Sequence, residues 1–307
     1  MLKSTKKLPF EGCATALVTP FKNGEIDLDA FSRLVEVQIK AGVGALVVCG
    51  TTGEAPTLTE TERQKLICRA AEISAGRVPV IAGTGGPCTD KMLRMSWRAR
   101  EAGADAFLIV NPYYNKGTEE GIVRSFYAAA SLGPPVILYN VPGRTGSDMS
   151  ISLIARLSEH GNIVAIKEAS SISKASEILA SPKCDLHVYC GNDGDTLPSL
   201  ALGARGVISV VSNIFPELWV RLCAEYENGN TAVSRDIQLM SLPFIRALFA
   251  ETSPCPVKYL CERTGICLSD VRLPLGDISE ELKKVLVSEY ERVHSAQKEL
   301  EKDEKSK

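Results

Sequence analysis

The chain has 307 residues, of which 45% are hydrophobic and 23% are charged, so it can bury a large core as one α/β domain or as a domain with an appendage. Its formal net charge is -2 and neither sign of charge dominates a long segment, which argues against binding to nucleic acid or to a membrane surface. This composition excludes a largely disordered chain and favours a small molecule as the partner.

The N-terminal seven residues are basic, but Glu11 and Gly12 follow before any apolar stretch long enough for a signal peptide or a membrane span. We therefore expect a cytosolic protein. The ten cysteines include no Cys-x-x-Cys pair, and the three histidines (His160, His187 and His294) lie far apart in the sequence. We expect reduced core thiols, no metal site and no metal-dependent chemistry.

Short apolar runs alternate with helix-like segments as far as about residue 228, which is the pattern of a parallel sheet. Several helical segments begin with a capping residue, as where Thr59 precedes Glu62 by three positions. Eight units predict a (β/α)8 TIM barrel over residues 1–228, with a doubly wound open sheet as the alternative. The runs are centred near Leu17, Leu46, Ile81, Leu108, Ile137, Ile166, Val188 and Ile208, and the clearest helical segments are 29–41, 59–75, 89–102 and 118–131.

The strand pattern stops after residues 228–230, which are Asn-Gly-Asn. Apolar residues at helical spacing then predict helices over residues 231–250 and 279–300. We therefore expect a C-terminal helical domain over residues 229–307. Its last seven residues are charged or polar and should form a solvated tail.

Lys167 lies near the end of the sixth apolar run, Ile-Val-Ala-Ile-Lys-Glu, at the end of the barrel where TIM-barrel active sites form. Burial disfavours the ammonium form of a lysine, so an amine in this setting can attack a carbonyl carbon. The alternative is a lysine whose stem covers apolar surface while its head reaches water. The strand pattern alone leaves both interpretations open.

Further polar candidates follow other strands at the same end. The turn Gly-Thr51-Thr52-Gly-Glu offers amides and hydroxyls to a carboxylate or phosphate, although a tight turn that caps the next helix is the simpler explanation. It lacks the P-loop lysine, so a nucleotide is not expected. Arg144 suits a substrate carboxylate but could be a loop charge, and Tyr139 suits proton transfer but could be a core aromatic. The remaining candidates at the strand ends are Tyr114, Gly191 and Asn192.

Four motifs occur together at ordered intervals: Gly-Thr-Thr-Gly-Glu, Pro-Tyr-Tyr-Asn, Tyr-Asn-Val-Pro-x-Arg-Thr-Gly and Ile-Lys-Glu-Ala. In this combination the chain resembles the dihydrodipicolinate synthase (4-hydroxy-tetrahydrodipicolinate synthase) family of pyruvate-dependent class I aldolases, and the resemblance covers nearly the whole chain. It implies condensation of pyruvate with L-aspartate 4-semialdehyde in lysine and diaminopimelate biosynthesis, without a cofactor. Other pyruvate-dependent lyases of the superfamily and a non-catalytic barrel that binds a keto acid remain as alternatives.

The resemblance also implies residue roles. Lys167 matches the lysine that forms a Schiff base with pyruvate, and Tyr139 matches the tyrosine that transfers protons. Thr51 and Tyr114 match its relay partners, and the relay tyrosine comes from a neighbouring subunit in the family, which implies at least a dimer and suggests a homotetramer. The substrate contacts carried over are Thr52 and the Ile208 backbone for pyruvate, and Arg144 for the carboxylate of the semialdehyde.

One part of the chain departs from the pattern of feedback-inhibited members, which bind L-lysine through histidine, asparagine and glutamate side chains. Residues 55–63 contain no histidine, and Pro87 and Lys91 stand where an asparagine and a glutamate are expected. Groups that would bind a cation are thus missing or replaced by a positive charge. We expect weak or absent inhibition by lysine.

Overall fold

The structure, a computed structural model, describes residues 4–305. Eight parallel strands close into a barrel. Each barrel strand pairs with the next barrel strand along the chain, and the last pairs with the first. The predicted TIM barrel is therefore confirmed, and the first strand ends one residue before the predicted centre at Leu17. The barrel strands are β1 (Gly12–Ala16), β4 (Ala45–Val48), β5 (Val80–Gly83), β6 (Ala106–Val110), β7 (Val136–Asn140), β8 (Ile163–Glu168), β9 (His187–Cys190) and β10 (Gly206–Ser209).

A small antiparallel hairpin, β2 (Phe21–Lys22) and β3 (Glu25–Ile26), follows β1 and was not predicted, because strands of two residues show no periodicity. The predicted helices form within a few residues of their expected ends, and Thr59 and Glu62 make the expected capping box. The helices are α1 (Leu28–Lys40), α2 (Glu60–Ser74), α3 (Thr89–Glu101), α4 (Glu119–Ala130), α5 (Pro142–Thr145), α6 (Ile151–Ser158), α7 (Ile172–Ala180), α8 (Thr196–Leu202), α9 (Pro216–Glu227), α10 (Thr231–Leu248), α11 (Cys255–Arg263) and α12 (Glu280–Lys305).

Alternate residues of the strands fill the barrel interior, as the period of two requires. β1 and β4 contribute small residues such as Ala14 and Ala45, while β7 and β9 contribute Tyr139 and Tyr189. Phe10, just before β1, stacks on Tyr189 with ring centroids 4.1 Å apart and an interplanar angle of 8°. Side chains thus fill the barrel interior at the end where β1 begins, and the cavity lies at the opposite end, where the strands finish.

The C-terminal helices pack on the barrel, and their connecting segment reaches its mouth. Between α10 and α11, Phe249 and Ser253 line the cavity at the strand ends, and Lys258 in α11 is fully buried. Residues beyond the predicted boundary at 228 therefore help to build the same cavity as the barrel. The boundary itself stays a prediction. All ten cysteines are free thiols.

Candidate active site

Lys167 projects from β8 into the barrel mouth with only 6% of its surface exposed. It is in register with Tyr139 of β7 on one side and with Tyr189 of β9 on the other. Its Nζ lies 4.5 Å from the centroid of the Tyr139 ring and borders a cavity of about 150 Å³. The side chain is too buried for the interpretation in which its head lies in bulk water. The amine instead faces a cavity large enough for a small substrate.

The two tyrosines beside Lys167 differ in what their hydroxyls do. The Tyr189 hydroxyl donates to Phe10 O at 2.6 Å and accepts from Phe10 N at 3.2 Å. Burial raises the pKa of Tyr189 above its ordinary value, which also disfavours loss of its proton. Tyr139 instead lines the Lys167 cavity and the adjoining one. Only Tyr139 therefore has the placement of a proton donor and acceptor for a molecule bound at Lys167.

The Thr51-Thr52 turn after β4 forms one wall of the cavity, and only 5% of the surface of Thr52 is exposed. The turn is closed by a hydrogen bond from Glu54 N to Thr51 O at 3.0 Å. On its other side Gly83, at the end of β5, packs so tightly that a Cβ there would lie 2.2 Å from Cys49 O. A glycine is required at this position because no side chain fits beneath the turn.

Arg144 lies on α5, directly after β7, and its side chain borders both the Lys167 cavity and an adjoining cavity of about 210 Å³. Its Nη2 donates to Ser253 O at 3.2 Å, so the C-terminal segment holds the guanidinium at the entrance. The rest of its donors remain suited to an anion that enters from solvent. A carboxylate-bearing substrate is the chemistry that fits this position.

Tyr114 is the one predicted catalytic residue that this chain does not bring to Lys167. It is 93% exposed and adopts a left-handed backbone conformation, with φ at 68°. Its neighbour Tyr113 lines the adjoining cavity instead. The side chain of Tyr114 therefore projects into solvent from a backbone conformation that non-glycine residues adopt at a cost.

The ends of β9 and β10 complete the wall. Gly191 and Asn192 line the Lys167 cavity, whereas Ile208 is fully buried in the barrel interior and Val210, two residues later, borders the cavity. Gly191 has no room for a side chain, because a Cβ would meet that of Ala169 at 2.5 Å.

Asp193 follows Gly191 and Asn192 at the end of β9 and was assigned no role from the sequence. It is buried and accepts hydrogen bonds from Ser209 Oγ and from Val210 N at 2.9 Å. It thereby joins the end of β9 to the end of β10. The pKa of Asp193 is raised above its ordinary value because burial is the largest influence on it. These hydrogen bonds and the charge of Lys167 act in the opposite direction. An acidic residue directly after Gly-Asn at a strand end was the available indication.

This arrangement can form an imine with a small keto acid. It combines a buried amine, an adjacent phenol, a turn with hydroxyls and amides, and a guanidinium at the entrance. Among residues 4–305, no three His, Cys, Asp or Glu side chains are grouped so as to hold a metal ion. Within the same residues no helix is both long and apolar enough to cross a membrane.

The sequence model of the dihydrodipicolinate synthetase family matches residues 9–292. The chain belongs to this family. It is 46% identical to the 4-hydroxy-tetrahydrodipicolinate synthase of Geobacter metallireducens over 287 residues, which cover 92% of this chain and 99% of the relative. It is 44% identical to the synthase of Thermotoga petrophila over 283 residues, which cover 90% and 96%.

A solved structure of dihydrodipicolinate synthase from Thermotoga maritima aligns with a TM-score of 0.91 at 42% identity, and covers 94% of this chain and 99% of that one. The family identified from the four motifs is therefore confirmed, together with its barrel. Membership makes the chain a lyase-type enzyme, and the Schiff-base mechanism is general to the dihydrodipicolinate synthetase family.

Proposed function

We propose that this chain condenses pyruvate with L-aspartate 4-semialdehyde through a Schiff base on Lys167, as a cytoplasmic enzyme of lysine and diaminopimelate biosynthesis. The observation that carries the proposal is the register of Lys167 with Tyr139 on the wall of the cavity at the barrel mouth. The same cavity presents Thr51, Thr52 and Arg144, the other groups that the reaction needs.

The Lys167 amine attacks the ketone carbon of pyruvate, a C–N bond forms, and the former carbonyl oxygen leaves as water. Tyr139, whose ring lies under the amine, supplies the proton that this oxygen requires and takes one back in a later step. The imine withdraws electrons from the adjacent methyl group, so loss of a proton gives an enamine without a metal or an organic cofactor. The enamine carbon then attacks the aldehyde carbon, a C–C bond forms, the aldehyde oxygen takes up a proton and the imine is restored. The amino group of the semialdehyde next attacks the imine carbon, which closes the ring, and the C–N bond to Lys167 breaks, so the lysine leaves as a free amine.

Two carboxylates must be held in place during these steps. The buried Thr52, at the turn, suits the carboxylate of pyruvate, with Gly191, Asn192 and Val210 lining the same cavity. The family resemblance adds a pyruvate contact from the backbone of Ile208, whose side chain is buried in the barrel interior. Arg144 at the entrance suits the carboxylate of the semialdehyde, because its planar fork can bind both oxygens. A polyhydroxylated aldehyde has no such group for Arg144 to bind.

The proposal is tested by assaying the purified protein with pyruvate and aspartate semialdehyde, beside cleavage assays with N-acetylneuraminate and 2-keto-3-deoxygluconate. Condensation should be the dominant activity. Turnover only in the cleavage assays would replace the synthase with another lyase of the superfamily.

We propose that Tyr114 acts in the cavity of a neighbouring subunit of a homotetramer. Its 93% exposure in the single chain supports this role, because a side chain that acts in trans must project from its own subunit. The test is complementation between Tyr114→Phe and Lys167→Ala, each of which should be nearly inactive alone. In mixed oligomers one subunit supplies Lys167 and the other Tyr114, so activity should return. Mixed oligomers without recovered activity would refute action in trans.

We also propose that L-lysine inhibits this enzyme weakly or not at all. Glu60 of the stretch compared above is paired with Arg94 at 3.8 Å and with Arg98 at 3.5 Å, and the Arg63 guanidinium donates to Ala55 O. The Glu60 carboxylate is thus already paired within the chain, and Lys91 would repel an ammonium group. Lysine titration of the condensation assay tests the proposal, and an inhibition constant in the micromolar range would contradict it.

A further inference from the structure

The turn that presents Thr51 and Thr52 is held in a strained backbone conformation. The residues on either side of Gly50–Gly53, Cys49 and Glu54, both lie in the left-handed region, with φ at 56° and 54°. Non-glycine residues adopt this region at a cost, and they keep it only where the surrounding structure imposes it. The position of Thr52 thus depends on whatever holds Glu54.

Glu54 is held by a lysine from the C-terminal helices. Its Oε1 lies 2.9 Å from Lys258 Nζ of α11, and both side chains are completely buried. Lys258 also donates to Thr19 O at 2.9 Å and to Asp270 O, and lies 4.4 Å above the centroid of the Phe21 ring. The ammonium group therefore contacts one carboxylate oxygen, two backbone carbonyl oxygens and one aromatic ring.

Two other contacts join this pair to the C-terminal end of the turn. Arg272 N donates to the second oxygen of Glu54 at 3.1 Å, so both carboxylate oxygens are used. The hydroxyl of Thr19, whose carbonyl binds Lys258, donates to Gly53 O at 2.7 Å. Lys258 is thus linked to the last two residues of the turn, directly through Glu54 and through Thr19 to Gly53.

We propose that Glu54 and Lys258 are positioning residues for the pyruvate carboxylate, through which the C-terminal helices set the place of Thr52 in the cavity. The inference rests on the proposed function of the turn in binding pyruvate. A buried ion pair is weak evidence for a role in stability, because apolar residues of the same volume often serve as well. Charged groups suit the role of holding one strained turn, because both oxygens of the Glu54 carboxylate accept hydrogen bonds in fixed positions. These bonds hold the backbone of Glu54 in its left-handed conformation.

The test compares Glu54→Gln, Lys258→Met and the double variant Glu54→Gln/Lys258→Met, which leaves no charge unpaired. The readout is the pyruvate concentration that half-saturates trapping of the imine by borohydride, measured without aldehyde. A displaced turn should raise this concentration about 10-fold to 100-fold in all three variants. At saturating pyruvate Lys167 should still be labelled, and the KM for aspartate semialdehyde should stay near the wild-type value. Lys258→Arg keeps the positive charge, so it should raise the half-saturating pyruvate concentration less than Lys258→Met does.

Leu286→Ala is the matched control, because it opens a cavity in α12, which packs on α11, without touching the turn. It should lower the melting temperature and leave the half-saturating pyruvate concentration unchanged. If the charge variants behave in the same way, the pair serves stability alone and the inference is overturned.

Should the charge variants fail to fold, Thr19→Val decides, because it removes only the hydroxyl bond to Gly53. A wild-type half-saturation in that variant would overturn the inference as well. A wild-type protein that forms no adduct with pyruvate would instead refute the proposed function.

Discussion

Tyr139 and Tyr189 allow a matched test of proton transfer, because they flank Lys167 in register and the same substitution removes the same oxygen from each. Tyr139→Phe removes a hydroxyl that faces the cavity. The loss of a general acid–base group lowers kcat by about 10²-fold to 10⁴-fold. This corresponds to about 3 to 5 kcal/mol of the activation barrier. The fold should be retained, because the phenylalanine ring fills the same space.

Tyr189→Phe removes a hydroxyl that is bonded only to the backbone of Phe10, at 2.6 Å and 3.2 Å. The buried carbonyl and amide of Phe10 lose their partner, which costs about 1–3 kcal/mol of stability. We therefore expect a lower free energy of unfolding and a kcat close to that of the wild type. Tyr139→Phe should therefore lose kcat and keep its stability, whereas Tyr189→Phe should lose stability and keep its kcat.

The assays are steady-state condensation kinetics and denaturant unfolding of both variants. Equal losses of kcat in folded Tyr139→Phe and Tyr189→Phe would refute the assignment, since they would show that the hydroxyl facing the cavity has no special role. Full activity in Tyr139→Phe would refute it equally.

Three further predictions follow from single contacts. Arg144→Lys should raise the KM for aspartate semialdehyde and leave that for pyruvate unchanged, because a lysine lacks the planar fork; an equal rise for both substrates would contradict this. Gly83→Ala places a Cβ 2.2 Å from Cys49 O and should cost about 1–3 kcal/mol in thermal or denaturant unfolding, whereas wild-type stability would contradict the packing. The hydrogen bond from Arg272 lowers the pKa of Glu62 from 4.5 to about 2, so its contribution to stability is present above pH 4.5 and is lost as the pH falls towards 2. Glu62→Gln should therefore narrow the difference in unfolding free energy between pH 7 and pH 3, and an unchanged difference would contradict the assignment.

The barrel could be predicted from the sequence because each strand is a short apolar run bounded by turn residues, and because caps such as Thr59 mark where helices begin. Most of the candidate site residues that line the cavity could be selected for the same reason, since strand ends in a barrel meet at one mouth. Lys167, Thr51 and Arg144 all line the cavity as a result.

The rest depends on contacts between distant parts of the chain. Glu54 and Lys258 are 204 positions apart, and nothing in the local pattern of either residue indicates the other. Tyr139 and Tyr189 both lie in apolar strands, so only the contact of Tyr189 with Phe10 distinguishes the free hydroxyl from the occupied one. The pattern likewise could not show that Phe249 and Ser253, beyond the barrel strands, line the cavity.

The imine on Lys167 is tested most directly by reducing the protein with borohydride in the presence of pyruvate and mapping the adduct by mass spectrometry of peptides. The reduced pyruvyl group should appear on the peptide that contains Lys167, and it should be absent without pyruvate and in Lys167→Ala. An unmodified Lys167 in an active preparation, or an adduct on another lysine instead, would contradict the mechanism.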